Sequence, residues 1–250
     1  HVEAGLRTYN LYSPFPEEFN RQAVDLIARF YFAPTELSRQ NLLKEGKPAE
    51  HIFVTGNTVI DALDTTVRSD YTHPEIEWAR GSRLILLTAH RRENLGKPMR
   101  EMFRAIRRIV DETPDIKVIY PMHKNPAVRE MARACFGGQE RIHMIEPLDV
   151  LDFHNVMAHA YLIMTDSGGI QEEAPALGKP VLVMRDTTER PEGVVAGTLK
   201  LVGTDENTIY AAVGELLTDP AAYHEMEHAV NPYGDGHASR YIADILAREL

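Results

Sequence analysis

The sequence has one cysteine, one tryptophan and no apolar run of the length that a membrane span needs. With a single cysteine no internal disulfide can form, so a reducing compartment such as the cytoplasm is the simpler expectation. Basic residues are outnumbered: 27 Lys and Arg stand against 37 Asp and Glu, which gives a formal net charge of −10. That sign argues against non-specific binding to nucleic acid or to an anionic membrane.

The lone cysteine, Cys135, lies in the stretch NPAVREMARACFGG. Helical spacing places it on one face with Val128, Met131 and Ala132. A cysteine on such an apolar face packs in a core far more often than it acts as a nucleophile. We therefore predict a packing role for Cys135.

What the chain has in abundance is short apolar runs separated by amphipathic stretches such as MREMFRAIRRIVDETP. The runs in the second and larger part of the chain are RLILLTAH, KVIYPMH, RIHMIEP, AYLIMTD and KPVLVMRD. Continuous apolar runs of this length between helices are typical of parallel strands that are covered on both faces. The predicted fold class is α/β, with parallel sheets flanked by helices.

The part of the chain before residue 57 contains similar units, among them the runs RFYFAPT and HIFVTGN and a strand end at HVEAG. We predict that a first domain covers residues 1–57 and that a second covers residues 58–230. Residues 231–250 read as a Gly-rich turn and an amphipathic helix that could pack on either domain, and a return to the first domain is one prediction. The apolar stripe predicted for this helix comprises Tyr241, Ile242, Ile245 and Leu246.

Polar side chains follow the predicted strands of the larger sheet at the point where each strand ends. They are His90, His123, Asp166, Arg185 and Asp186. In open α/β sheets, ligands bind in the crevice beyond the carboxyl ends of the strands. These residues therefore predict a binding rim at that edge.

The most informative part of the rim is MTDSGGIQEEAPALGKP. The turn Ser167-Gly168-Gly169 lets the backbone approach a phosphate closely, and Glu172 or Glu173 in the following helix could accept hydrogen bonds from a ribose diol. A Gly-rich helix cap followed by exposed acids explains the same residues. Both interpretations, a nucleotide site and a simple helix cap, stay open at this point.

Basic clusters surround this turn in the sequence: His90-Arg91-Arg92, His123-Lys124, and Arg185 with Arg190. Positive groups placed after strand ends in an acidic protein are consistent with a ligand that carries a diphosphate. A metal site is the other interpretation of the two histidines, but neither His90 nor His123 stands in an HExxH, CxxC or His-x-His pattern. We expect no metal there.

The opening stretch HVEAGLRTYNLYSPFPEE places three acids close together. Glu17 and Glu18 follow Pro16 at a predicted helix start, where the helix dipole favours acids without any chemistry. Glu3 stands at a strand end before Ala-Gly, so it is either a surface acid or a functional one.

Taken in order, HVEAGLRT, SPFPEEFNR, VTGNTVIDAL, TAHRREN, PMHKNP, EPLDVLDFHNVM, TDSGGIQEEAPALGKPVLVMRDTTERPEG and AGTLKLVGTD cover the whole chain. Together they resemble the non-hydrolysing bacterial UDP-N-acetylglucosamine 2-epimerases. The resemblance implies two Rossmann-like domains of the two-domain glycosyltransferase type, with the active site in the cleft between them. It also implies a further N-terminal segment that forms most of the first domain. Residues 1–57 are then its C-terminal part, and residues 58–230 the UDP-binding domain.

The reaction implied by the resemblance is the interconversion of UDP-GlcNAc and UDP-ManNAc, through elimination of UDP to 2-acetamidoglucal and re-addition with inversion at C2. No cofactor is implied, and family members are commonly homodimers. The matching motifs assign catalytic roles to Glu3, Glu17 and His90. UDP-binding roles fall on His90, Phe153, Ser167, Gly168, Glu173 and Arg190, and Thr188 lies near the sugar.

The same motifs assign Arg91, His123 and Glu17 to a regulatory substrate site, and they leave Glu18 as a helix-start charge. Two other functions stay open from the sequence alone. One is a UDP-sugar-dependent glycosyltransferase, and the other is a UDP-binding fragment without turnover.

Overall fold

Eight strands and twelve α-helices alternate along the chain in a computed structural model that describes residues 1–250. The strands are β1 (Tyr31–Ala33), β2 (Ile52–Val54), β3 (Arg83–Thr88), β4 (Ile116–Pro121), β5 (Ile142–Ile145), β6 (Leu162–Thr165), β7 (Val181–Val183) and β8 (Leu199–Leu201). The first six helices are α1 (Glu17–Asp25), α2 (Glu36–Lys44), α3 (Thr58–Thr66), α4 (Pro74–Ala79), α5 (Lys97–Glu112) and α6 (Pro126–Phe136). The others are α7 (Val150–His159), α8 (Ile170–Ala176), α9 (Pro191–Ala196), α10 (Glu206–Thr218), α11 (Pro220–Glu227) and α12 (Ala238–Glu249).

The chain divides into two compact units. The first unit contains His1–Thr65, Thr188–Gly193 and Asn231–Leu250, and the second contains Thr66–Thr187 and Val194–Val230. The domain boundaries predicted at residues 57 and 230 stay predictions about the folding domains of the whole protein.

The second unit is built around a six-stranded parallel sheet with the strand order β5-β4-β3-β6-β7-β8. Numbered within this sheet alone, the order is 3-2-1-4-5-6, which is that of a doubly wound Rossmann fold. The predicted α/β class with parallel strands and flanking helices is therefore confirmed. The strand order reverses between β3 and β6, and this switch point is where such sheets bind ligands.

The helices that cover this sheet follow from the spacing of their apolar residues. In α5, Met99, Met102, Phe103, Ile106 and Val110 are fully buried, at intervals of three and four that place them on one face. The strands beneath them are apolar on both sides, as the run Leu84–Leu87 shows with every residue buried. The packing of α5 on the sheet sets the position of the loop that leaves β3.

The predicted packing role of Cys135 is confirmed. The side chain is partly buried on α6 and packs against the main core of the second unit. Burial raises the pKa of its thiol above the ordinary value, so the nucleophilic thiolate is disfavoured.

The first unit contains the parallel pair β1–β2, and a single bridge from Val2 to Phe32 extends it. The predicted strand at HVEAG is thus reduced to one bridge. The final helix, α12, packs on this unit, where Ile242 and Ile245 join Phe30 and Phe32 in one cluster.

Two details of the sequence interpretation are wrong. Tyr241, predicted on the apolar stripe of α12, is 40% exposed and donates its hydroxyl to Asp235. Strand β8 was not predicted, since three residues with an exposed lysine in the middle carry little signal. None of the helices combines the length and the apolar character that crossing a bilayer requires.

Candidate functional site

The rim of the second unit forms where β3 and β6 end side by side. Thr88 is the register partner of Thr165, and their hydroxyl oxygens are 2.6 Å apart. Because the strands are parallel, the residues that follow them, from Ala89 and from Asp166, leave the sheet at the same edge. The sequence motifs TAHRREN and TDSGG are thereby brought together.

Asp166 holds the two motifs in a fixed relationship. Its fully buried carboxylate accepts hydrogen bonds from the backbone N–H groups of His90, at 2.9 and 3.1 Å, and of Arg91, at 2.8 Å. The side-chain amide of Asn94 donates a further bond at 3.1 Å. Bonds from N–H groups to a buried carboxylate are charge-assisted and strong, so they lock the loop after β3 onto the end of β6.

The ring of His90 is held on two sides but stays accessible. Its Nδ1 lies 3.5 Å from an oxygen of Asp166, and its ring stacks on that of His123 with centroids 5.3 Å apart and planes within 11°. The side chain is 36% exposed. A half-exposed imidazole in a fixed orientation can donate a hydrogen bond, or a proton, to an anionic ligand.

A second basic group lies further along the rim, at the end of β7. Arg185 is only 3% exposed, and its Nε lies 3.9 Å from a carboxylate oxygen of Glu93. The side chain of Asn94 reaches the same segment through the carbonyl oxygen of Met184, at 3.4 Å. The ends of β3, β6 and β7 are thus connected by polar contacts.

The turn after β6 is tied down by its neighbours. The backbone N–H of Ser167 donates to the hydroxyl of Thr165 at 2.9 Å, and the side-chain amide of Gln171 donates to the carbonyl of Ser167 at 3.0 Å. Gly168 is buried within this turn. Fixed backbone at a glycine is what close approach to a phosphate requires.

Beside the turn, α7 and α8 bring Phe153, His154 and Glu173 together. His154 Nε2 lies 3.9 Å from a carboxylate oxygen of Glu173, and the rings of Phe153 and His154 are 6.4 Å apart. Burial lowers the pKa of His154 below its ordinary value, and its Nδ1 lies 2.7 Å from the hydroxyl of Thr66. Glu173 lies beside this imidazole, and its carboxylate can accept hydrogen bonds from hydroxyl groups.

In the first unit, Glu3 follows the bridge of Val2 and occupies a strained backbone conformation. Its φ of +62° lies in the left-handed region that side chains rarely adopt. The carboxylate accepts a hydrogen bond at 2.7 Å from the amide of Asn57, whose backbone N–H donates to the carbonyl of Tyr233. Strain of this kind, held by surrounding bonds, is typical of functional positions.

The segment Thr188–Arg190 belongs to the same unit as Glu3. Arg190 is 2% exposed, and its guanidinium donates to the carboxylate of Glu189 at 2.5 Å. Burial and the neighbouring charge of Arg190 lower the pKa of Arg21, while the carboxylates of Glu189 and Glu3 raise it. Arg21, on α1, therefore interacts with the charges of Glu189 and Arg190 and also with that of Glu3.

The chain is similar to known proteins over almost its whole length. Residues 1–247 match the family model described as UDP-N-acetylglucosamine 2-epimerase. A Bacillus subtilis protein named UDP-N-acetylglucosamine 2-epimerase is 64% identical over 246 residues, which cover 98% of this chain and 65% of that protein.

The chain belongs to the UDP-N-acetylglucosamine 2-epimerase family.

Two solved structures of epimerase relatives contain nucleotides. The Staphylococcus aureus MnaA–UDP structure is 55% identical with a TM-score of 0.97, and it matches 100% of this chain and 68% of that one. The Neisseria meningitidis UDP-GlcNAc 2-epimerase bound to UDP-GlcNAc is 45% identical with a TM-score of 0.94, over 99% of this chain and 69% of that one. The chain thus spans roughly two thirds of the length of its epimerase relatives.

The structure distributes the predicted epimerase residues between the two units. The second unit carries His90, Arg91, His123, Phe153, Ser167, Gly168 and Glu173. The first unit carries Glu3, Glu17, Thr188 and Arg190. Direct contacts join His90 to His123, while Phe153 and Glu173 both lie beside His154.

Glu18 lies in the first turn of α1, as predicted for a helix-start charge, but its contacts go beyond that role. The side chain is fully buried and accepts the backbone N–H groups of Thr8, at 2.9 Å, and of Tyr9, at 3.1 Å. Gln22 donates to it as well, at 2.8 Å. Glu18 therefore fastens the loop that follows Glu3 onto α1, while Glu17 stands beside it, half-buried at the helix start.

Several residues that contact the predicted site residues were not themselves predicted. Asp166 was noted only as a strand end, and its role as a loop anchor depends on backbone bonds that no motif reveals. Asn94, Asn57 and Arg21 each lie in a quoted motif, TAHRREN, VTGNTVIDAL and SPFPEEFNR. Their presence in those motifs was the only feature of the sequence that could have indicated a role for them.

Proposed function

We propose that this protein interconverts UDP-GlcNAc and UDP-ManNAc by inverting the configuration at C2 of the sugar. The observation that carries the proposal is the match of residues 1–247 to the epimerase family. The rim at the β3/β6 switch point supports the proposal. It combines a glycine turn, basic groups and a carboxylate that can accept hydrogen bonds from a ribose diol. We further propose that the product supplies precursors for cell-surface polysaccharide.

The C2–H bond of the sugar is not acidified by a carbonyl, so direct proton removal is unfavourable. We propose elimination: a base takes the C2 proton while the C1–O bond to UDP breaks, which leaves 2-acetamidoglucal and UDP. UDP then re-adds to C1 as a proton is delivered to C2 from the opposite face. The 2-acetamidoglucal and the UDP must both stay bound between the two steps, and acid/base groups must lie on both faces of the sugar ring.

The nucleotide is held by the second unit in this proposal. The fixed turn at Ser167 and Gly168 receives the diphosphate, with the imidazole of His90 beside it. Glu173 accepts the ribose hydroxyls, and backbone at Phe153 contacts the uracil. Asp166 keeps the loop of His90 in place during departure and return of UDP.

Proton transfer is assigned to Glu3 and Glu17 of the first unit. The strained backbone of Glu3 and its bond to Asn57 hold one carboxylate in a defined direction. Arg190 is proposed to contact phosphate, and Thr188 the sugar. The hydroxyl of Thr188 already accepts the backbone N–H of Arg190 at 3.1 Å, which couples the two.

Regulation by a second substrate molecule is proposed for Arg91, His123 and Glu17. The ring stacking of His123 on His90 supports the idea, since a ligand that moves one imidazole must disturb the other. Arg91 shares the anchor of His90, because both backbone N–H groups donate to Asp166.

We also propose that the protein is a cytoplasmic homodimer. Apolar side chains are exposed along and around α1, where Phe15 and Phe19 are 54% exposed and Leu26 and Ile27 are 80% and 87% exposed. A patch of this kind in the first unit suits contact with a second copy. Light scattering of the purified protein tests the stoichiometry.

Product analysis by NMR tests the proposed activity. Incubation with UDP-GlcNAc alone should yield UDP-ManNAc until a mixture of the two is reached. Free ManNAc and UDP as the end products would indicate a hydrolysing enzyme instead. Transfer only after an acceptor sugar is added would indicate a glycosyltransferase, and UDP binding without any product would indicate a binding protein.

A further inference from the structure

The C-terminal end of α11 brings together two histidines and a glutamate, outside the rim described above. His224, Glu227 and His228 occupy positions i, i+3 and i+4, so their side chains project from one face of the helix end. The potential ligand atoms of all three residues lie within 4.8 Å of one another. Both histidines are exposed and the glutamate is half-buried.

The contacts within this cluster already orient its donors. Nδ1 of His224 lies 2.9 Å, and Nδ1 of His228 lies 3.5 Å, from the same carboxylate oxygen of Glu227. Nδ1 of His228 also lies 3.0 Å from the backbone carbonyl of His224. When that nitrogen donates its proton to the carbonyl, Nε2 is left with a lone pair. An imidazole fixed in this way by a carbonyl is the usual state of a metal-ligating histidine.

We propose that His224, Glu227 and His228 form a binding site for a divalent transition metal of the zinc type. Two imidazoles and one carboxylate suit Zn²⁺, whereas Mg²⁺ prefers oxygen ligands alone. Bond lengths of about 2.0–2.2 Å place tetrahedral ligands about 3.3 Å apart, so these atoms must close by about 1.5 Å at most. Side chains at an exposed helix end can rotate by that amount, and water completes the coordination.

The carboxylate of the cluster interacts electrostatically with a basic residue outside it. Lys179, on the segment before β7, is the cation that faces Glu227. Burial lowers the pKa of Lys179, and the carboxylate of Glu227 offsets part of that effect. The stretch HEMEH fits an HxxEH spacing through Glu227, and it also matches the HExxH spacing through Glu225.

Calorimetric titration of the metal-free protein with ZnCl₂ tests the proposal. We expect one Zn²⁺ per chain, and we expect His224→Ala and His228→Ala each to weaken binding by at least about tenfold. MgCl₂ should give no comparable binding.

The chain offers a matched control in His159→Ala. His159 ends α7, and its Nδ1 lies 2.8 Å from the carbonyl of Asn155, the same helix-end contact that His228 makes. This variant should bind Zn²⁺ like the parent. Absence of Zn²⁺ binding, parent-like binding by His224→Ala and His228→Ala, or an equal loss in His159→Ala would each overturn the proposal. UDP affinity, measured in parallel, reports whether the variants are folded and does not depend on this site.

Discussion

The buried carboxylate of Asp166 accepts the backbone N–H of His90 at 2.9 Å and that of Arg91 at 2.8 Å. Asp166 follows β6 and His90 follows β3, so the contact bridges the two strands between which the sheet reverses its order. The position of the proposed diphosphate-binding imidazole is thus set by backbone bonds from a neighbouring strand. Asp166 is a positioning residue in this account, since it acts through His90.

Asp166→Asn should reduce turnover more than it reduces UDP affinity. An asparagine presents an NH₂ group to N–H donors, so at least one buried bond is lost, at a cost of about 1–3 kcal/mol in the free energy of unfolding. The loop then shifts, and displacement of a catalytic group by about 1 Å can lower kcat about a hundredfold. Steady-state kinetics and UDP calorimetry measure the two effects separately.

Asp205→Asn is the control for that change. Asp205 accepts the backbone N–H of Thr208 at the start of α10, and asparagine is an equally good helix cap. This variant should keep its kcat. Equal kcat values for Asp166→Asn and the parent would contradict the positioning role.

Glu173→Ala should weaken UDP binding by about 1.5–3 kcal/mol, because hydrogen bonds from ribose hydroxyls to a charged acceptor are lost. Isothermal titration with UDP measures the change. Glu146→Ala removes an exposed carboxylate that pairs with Arg129 and should leave UDP affinity unchanged. Undiminished UDP affinity in Glu173→Ala would remove the carboxylate from the ribose site.

Glu3→Gln should abolish epimerisation while leaving UDP affinity nearly intact. Glutamine keeps a carbonyl oxygen that can accept the amide of Asn57, so the local structure persists, but it cannot accept the C2 proton. Product formation and UDP binding are measured on the same preparation. If this variant formed UDP-ManNAc at the parent rate, Glu3 would have no acid/base role.

The pH dependence of stability should include a contribution from His154. Burial lowers the pKa of His154 below its ordinary value of 6.5, so the unfolded chain takes up this proton at a higher pH than the folded one. The contribution of His154 to the free energy of unfolding is therefore fully present above pH 6.5. It decreases as the pH falls below 6.5, by at most about 1.4 kcal/mol per pH unit.

His154→Gln should make the free energy of unfolding less dependent on pH below about pH 6.5, because the group responsible for that proton uptake is removed. Urea unfolding at several pH values measures this slope. His159→Gln, on the exposed end of the same helix, controls for the loss of a histidine. An unchanged slope in His154→Gln would show that this imidazole does not titrate with unfolding.

The sequence predicted those parts of the fold that depend on local pattern. Runs such as RLILLTAH identified β3, because a strand buried on both faces must be continuously apolar. Strand β8 was not predicted, because its exposed lysine interrupts an apolar run of only three residues. The sequence also left the packing partner of α12 open. An amphipathic stripe predicts that one face of the helix is buried, but it does not show which part of the protein covers that face.

The same distinction holds for the candidate site. Position after a strand end was enough to indicate His90 and Asp166 as rim residues. That Asp166 is a buried anchor follows only from which N–H groups the folded loop directs at it. Glu18 shows the converse: two adjacent acids at a helix start have the same sequence signal, yet Glu18 is fully buried and bonded to a distant loop.

Deuterium incorporation at C2 is the measurement that tests the proposed mechanism most directly. The purified protein is incubated with UDP-GlcNAc in deuterium oxide, and C2 of both UDP-sugars is observed by NMR and mass spectrometry. Proton removal and return through solvent-exchangeable carboxylates predicts deuterium at C2 of the UDP-ManNAc formed, without any acceptor sugar. UDP-ManNAc that retains the original hydrogen at C2 would contradict the account.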